Sequence, residues 1–151
     1  METVVSGASA GIIIKDEGVY EITYFSVDNK GNMETPKSIT VRIDNTPPVI
    51  NLTADPSILW PPNHKLVDVT IGGGAEDSLS GVASVVFTVT DEYGSIEPEV
   101  SGFNTTIPLE AWRNGNDKDG RRYTITIITT DNAGNNTTAF AVVRVPHDQR
   151  K

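Results

Sequence analysis

Two stretches of the sequence repeat one another 103 residues apart, and that spacing sets the size of any structural unit the chain can form. Asp16-Glu17-Gly18-Val19-Tyr20-Glu21-Ile22-Thr23-Tyr24 aligns with Asp119-Gly120-Arg121-Arg122-Tyr123-Thr124-Ile125-Thr126-Ile127. Asp28-Asn29-Lys30-Gly31-Asn32 aligns with Asp131-Asn132-Ala133-Gly134-Asn135, and after a one-residue gap Val41-Arg42-Ile43 aligns with Val143-Arg144-Val145. Self-similarity at a fixed period marks tandem units, and this period is too long for a solenoid repeat or a propeller blade. It is the length of a β-sandwich domain.

Each copy has the plan of a hairpin. In the second, Tyr123, Ile125, Ile127 and Thr129 alternate with Thr124, Thr126 and Ile128, a period of two that turns one face inward. Asp131-Asn132-Ala133-Gly134-Asn135 then supplies residues that tolerate positive φ and a carboxylate that bonds to the amides ahead of it. Ala139, Ala141, Val143 and Val145 form the return. Composition extends this plan to the whole chain: 16 Val, 14 Ile and 17 Thr stand against 5 Leu and 9 Ala. Branched side chains suit a pleated sheet and lose rotamer freedom in a helix, so the expectation is all-β, with helical bundles and doubly wound α/β folds excluded.

Asp44-Asn45-Thr46-Pro47-Pro48 reads as a stiff joint, because Pro-Pro lacks donors and holds the chain extended. Residues 1–46 are then the C-terminal part of one sandwich, 47–148 a complete sandwich, and 149–151 a tail. Strands are expected at 4–5, 10–15, 20–27 and 37–43 in the first unit. In the second they are expected at 49–54, 65–71, 82–91, a weaker pair within 99–112, 122–130 and 137–145. A sandwich lacking half its strands exposes an apolar face and an edge. Either the sequence is a piece of a longer array, or a partner chain supplies the missing strands and the first unit self-associates.

The spacing Asp-x-x-x-Tyr opens both hairpins, at Asp16/Tyr20 and Asp119/Tyr123, and resembles the tyrosine corner of immunoglobulin-like sandwiches. The run "SVDNKGN" followed by "KSITVRIDNTPPVI" resembles the ends of immunoglobulin-like repeats in large bacterial secreted and surface proteins. "NLTADPSILWPPNHKLVDVTI", "YTITIITTDNAGN" and "VVRVPHDQ" are similar to a neighbouring family related to the hyalin repeat. "LWPPNHKL" with a terminal "VPHDQ" is the more specific signal. The resemblance implies a non-catalytic, extracellular or cell-surface sandwich, strung in tandem beside hydrolase, adhesin or carbohydrate-binding modules. Its partners would be neighbouring modules of the same polypeptide, a polysaccharide or a cell-surface ligand.

Charge narrows the partners further. Twelve Lys+Arg against twenty Asp+Glu give a formal net charge of −8, with no run of three basic residues. Nucleic acid and anionic membrane surfaces are therefore poor candidates as partners, and neither is expected. No apolar run is long enough to span a bilayer, and no secretion signal opens the sequence. The absence of cysteine removes disulfides and thiolate chemistry together.

Candidate sites are weighed against structural roles. Trp60, in Trp60-Pro61-Pro62-Asn63-His64-Lys65, could stack on a sugar or, with Leu59, plug one end of the sandwich; burial of large aromatics favours the plug. Tyr93 and Trp112 carry the same pair of readings. Asn114-Gly115-Asn116-Asp117-Lys118-Asp119-Gly120 fails as an EF-hand-type loop, because Gly115 and Thr126 fall where ligands are required. A shallower calcium site at Asp117 and Asp119, or one using Asp44 with Asp77 or Asp131, competes with the reading of these residues as turn formers, which their chemistry favours. No cofactor other than calcium is suggested. His64 and His147 lack a nucleophile, and no nucleophile elbow, phosphate loop or zinc signature occurs, so the expectation is a protein without catalytic residues.

Overall fold

The computed structural model describes residues 4–7, 9–95 and 97–148; the expected tail, 149–151, lies outside them. The chain divides into two compact units, Met1–Asn45 and Thr46–Lys151, one residue from the boundary expected at the Pro-Pro joint. All regular structure among the described residues is antiparallel β-sheet, in three sheets.

The first unit is built on one hairpin, β1 (Gly18–Tyr24) and β2 (Lys37–Ile43). Its register places Tyr20 opposite Val41 and Ile22 opposite Ile39. Beyond Tyr24 the pairing shifts: an isolated bridge joins Val27 to Met33, so two residues, Phe25 and Ser26, lie opposite three, Glu34, Thr35 and Pro36. This bulge is the one-residue gap in the repeat, and Glu34 Oε1 caps it by accepting Ser26 N–H at 2.9 Å. The strands expected at 4–5 and 10–15 do not form. Val4, Val5, Ile12 and Ile13 are exposed, and an apolar run makes a strand only where a neighbour accepts its ladder.

In the second unit two three-stranded sheets share one core. The first has the order β3 (Val49–Asp55), β4 (Leu66–Glu76), β6 (Thr105–Glu110), and the second β5 (Val82–Asp91), β7 (Arg121–Asp131), β8 (Asn136–Val145). Val69, Ile71, Ile107 and Leu109 from one inner face meet Tyr123, Ile125, Val143 and Val145 from the other, all essentially without solvent contact. After β3 the chain leaves its sheet, and residues 57–59 run parallel to β8, with Leu59 N–H donating to Arg144 O at 2.8 Å and Arg144 N–H to Ser57 O at 2.9 Å. The pair of strands expected within 99–112 is a single strand, β6. Its Pro108 is tolerated because β6 lies at a sheet edge and pairs with β4 alone.

The hairpin β7–β8 repeats the first hairpin in register and turn. Tyr123 faces Val143 as Tyr20 faces Val41. Asp131 Oδ1 accepts the amides of Ala133, Gly134 and Asn135, and Asn135 Nδ2 donates to Oδ2 at 2.8 Å. In the first unit Asp28 Oδ1 accepts the amides of Lys30 and Asn32, and Asn32 Nδ2 donates to Oδ2 at 2.7 Å. Gly31 and Gly134 hold positive φ at the same place in both turns.

The glycines 72–74 lie inside β4, against β3, so the strand runs past the limit of 71 expected for it. A Cβ on Gly73 would stand 1.9 Å from Asn51 O, and its φ is +126°, so only glycine lets the two backbones approach. Gly73→Ala is expected to destabilise the fold by about 2 kcal/mol or more. Gly74→Ala, whose Cβ would meet nothing within 4 Å, leaves the melting temperature nearly unchanged; differential scanning calorimetry compares the two.

Candidate functional site

The strand alternation of β7 that buries Tyr123, Ile125 and Ile127 also carries position 121 inward, and that position holds an arginine. Arg121 is 2% exposed. A guanidinium in such a place is tolerated only when its charge and donors are matched. Asp91, at the end of β5, supplies a two-pronged partner, with Nε–Oδ1 3.0 Å and Nη2–Oδ2 2.6 Å. Nη1 donates to Trp112 O at 3.3 Å and reaches Glu110 Oε2 at 3.5 Å, while Nη2 lies 3.3 Å from Ser95 Oγ and 3.7 Å from Glu97 Oε1.

Three aromatic rings surround the cation: its central carbon lies 4.5 Å from the Tyr123 ring centre, 5.2 Å from Tyr93 and 5.6 Å from Trp112. Trp112 meets Tyr93 edge-on at 5.9 Å and stacks on His64 at 5.3 Å. His64 holds φ of 63°, a conformation fixed by its N–H bond to Ala111 O at 3.0 Å. Its Nδ1 lies 3.0 Å from Glu110 Oε1, so Glu110 links the exposed imidazole to the buried guanidinium.

Three carboxylates thus face one arginine, and Asp91 and Glu97 respond in opposite directions. Burial pushes Asp91 up, but the bonds from Arg121, Tyr93 N–H and Ser95 outweigh it and hold the carboxyl below its usual range. Glu97 lacks such bonds, and burial followed by the like charge of Asp91 raises it. Burial also raises the phenol of Tyr123.

Of the residues expected at a site, Tyr93 and Trp112 come together, and Trp60 does not join them. Trp60 is 40% exposed and makes no ring or cation contact among the described residues, whereas Leu59 is 1% exposed. The expected plug is therefore Leu59 alone. Asp117 accepts Gly120 N–H at 2.9 Å and the Tyr93 hydroxyl, and the Tyr93 bond chiefly lowers its pKa. Asp119 pairs with Arg122 at 2.9 Å. Asp77 Oδ1 accepts the amides of Leu79, Ser80 and Gly81, and like Asp131 it organises its own turn. Asp44 follows β2 at the end of the first unit.

The two tyrosines bond differently. Tyr20 Oη donates to Asp16 O at 2.9 Å. Tyr123 is fully buried, and its hydroxyl donates to Glu110 O at 2.8 Å rather than to Asp119. The acceptor of Tyr123 belongs to β6, for which the first unit has no described counterpart; position 121 also differs, being Gly18 in the first copy and a guanidinium 4.5 Å from the tyrosine ring centre in the second. Arg121 itself was missed by the sequence reading, although it is in phase with Tyr123, Ile125 and Ile127. A charged residue in phase with a buried face was the available signal.

Among the described residues, the cluster is made of side chains that bond to one another. The surface depressions along Phe87–Val89 and Glu97–Val100, and beside Asn51 and Gly73, are open to solvent, and the first touches the cluster only through Glu97.

Arg121→Met leaves the Asp91 carboxylate buried without its counter-charge and is expected to cost about 3–5 kcal/mol at neutral pH, much of it recovered in Arg121→Met/Asp91→Leu; urea denaturation followed by tryptophan emission measures both. Glu97 has the opposite pH signature. Its raised pKa contributes stability that is complete below the unfolded value and lost as pH rises through the folded one. Glu97→Gln therefore raises the melting temperature at neutral pH, and the gain disappears as pH falls through the carboxylate range. Asp91, with its depressed pKa, contributes stability above its unfolded value that is lost in acid.

Compared with known proteins, the chain matches no family model, no curated protein and no solved structure.

Proposed function

We propose that this chain is a non-catalytic, immunoglobulin-like spacer or adhesion module of a larger extracellular bacterial protein. The observation that carries the reading is the inward orientation of its one dense polar and aromatic cluster. Arg121 draws in Asp91, Glu97, Tyr93, Trp112 and Tyr123, and these groups bond to one another rather than to an open cleft. Catalysis needs a pocket that holds a reacting atom beside such groups. A rod segment needs the reverse, an interior locked at its ends. The repeated hairpin and the Pro-Pro joint support a tandem arrangement, and the sequence resemblance supports the surface location.

A carbohydrate-binding module is the alternative among aromatic-rich sandwiches. It is weakened because Trp112 is engaged by His64, Tyr93 and Arg121, which leaves Trp60 as the more available ring. A calcium-stabilised form of the spacer is favoured by the approach of Asp77 and Asp131 carboxylate oxygens within 4.8 Å. One set of measurements separates the three. The spacer predicts tryptophan emission unmoved by soluble polysaccharides. A saturable shift that is lost in Trp60→Ala overturns it in favour of sugar binding. A melting temperature that rises with millimolar calcium and falls with chelator assigns the calcium form.

A further inference from the structure

The connection from β5 to β6 sends a second acid to a guanidinium that is already paired. In the second unit β3 lies beside β8 along one side of the two sheets. On the other side β5 pairs only with β7 and β6 only with β4, so two strand edges flank the interior there. Residues 97–103 run along that side and are seated by their side chains. Val100 packs against the core. The Phe103 ring meets Phe87 of β5 edge-on at 5.1 Å. Glu97 turns into the Arg121 cluster, its side chain 6% exposed and its Oε1 3.7 Å from Arg121 Nη2.

Charge makes the Glu97 contact conditional. Arg121 brings one positive charge, and Asp91 of β5 takes it with two hydrogen bonds. That pair is neutral. Glu97 is a further carboxylate against it, too far from Nη2 for a hydrogen bond. The other titratable groups facing it are Glu110 of β6 and Tyr123 of β7, and neither adds a positive charge. Glu110 stands nearer solvent, 37% exposed, between Arg121 and His64. A second buried anion beside a neutral pair is costly, so Glu97 fits its place best as the uncharged acid.

We propose that Glu97 makes residues 97–103 an acid-held strap, seated along the β5–β6 side while the carboxyl keeps its proton and released when that proton leaves to solvent. Release uncovers Phe87 and Val89 of β5, both half-buried beside it. The titration has the matching direction, since burial and the charge of Asp91 raise the Glu97 carboxyl. The contribution of Glu97 to seating is therefore complete below its unfolded value and lost as pH rises through the raised one. Asp91 sets the acid limit: its carboxyl is held low, and protonating it leaves the guanidinium without a counter-charge. The strap is held between those two titrations.

The chain has no cysteine, so Val100→Cys places a single thiol on the strap. Its labelling by an uncharged maleimide is compared at each pH with that of Val100→Cys/Glu97→Gln, which cancels the ionisation of the thiol itself. The ratio of the two rates is expected near one at about pH 5 and about tenfold or more at about pH 8. Glu99→Gln, which removes an exposed acid from the same segment, leaves the Val100→Cys rate unchanged at both. Val143→Cys, in the core at 0% exposure, reports opening of the whole unit and labels far more slowly than Val100→Cys at about pH 8. Thermal melts verify the fold of each variant. A ratio that stays near one across the range overturns the proposal. So does an equal effect of Glu99→Gln, which assigns the change to the charge of the segment at large. Equal rates at positions 100 and 143 also overturn it, because the unit then opens as a whole. None of these outcomes depends on polysaccharide or calcium, so the spacer reading stands or falls separately.

Discussion

A buried guanidinium governs one end of the second unit. Arg121 stands in a position that the alternation of β7 sends into the core, and its two-pronged bond to Asp91 is what makes that position tolerable. From that bond the neighbouring features follow. β5 must end with its carboxylate opposite Tyr123. The segment after it must deliver Tyr93 to one side of the cation, and the segment after β6 must deliver Trp112 and its carbonyl to another. The donors of Arg121 and the carboxylate of Asp91 are thereby engaged with one another inside the fold.

The same cluster explains why two nearly identical hairpins have different tyrosines. Register and turn depend on the backbone and on the Asp and Asn side chains beside it, and both copies share them. The tyrosine's bond depends on which backbone carbonyl stands within its reach, and only the second unit brings β6 beside it. Tyr20 bends back to Asp16 O. The Tyr123 ring lies under a cation and its hydroxyl reaches Glu110 O. The sequence motif is therefore one of strand and turn, and it does not transfer the tyrosine's surroundings.

Much of the fold was legible because periodicity and turn chemistry act locally. The strand at 82–91 and the return strand at 37–43 match their expected limits, since each is a run rich in β-branched residues bounded by turn residues. Less legible were features set by residues distant in sequence. β4 continues through three glycines because β3 passes within contact of Gly73, and nothing in the glycines themselves names that neighbour. The apolar residues at 4–5 and 10–15 look like strands and are not, because pairing requires a second edge. At the candidate site, Tyr93 and Trp112 could be singled out as aromatics. That they flank one arginine, and that Trp60 stands apart from them, could not be read from spacing.

By itself the sequence determined the all-β class, the repeat with its turns and the net negative charge, because each arises from neighbours along the chain or from composition. The tertiary structure alone decided which charges are buried and which aromatics meet. Those depend on strand parity and register taken together across three or more strands, and a one-residue change in either would exchange the inner face for the outer one.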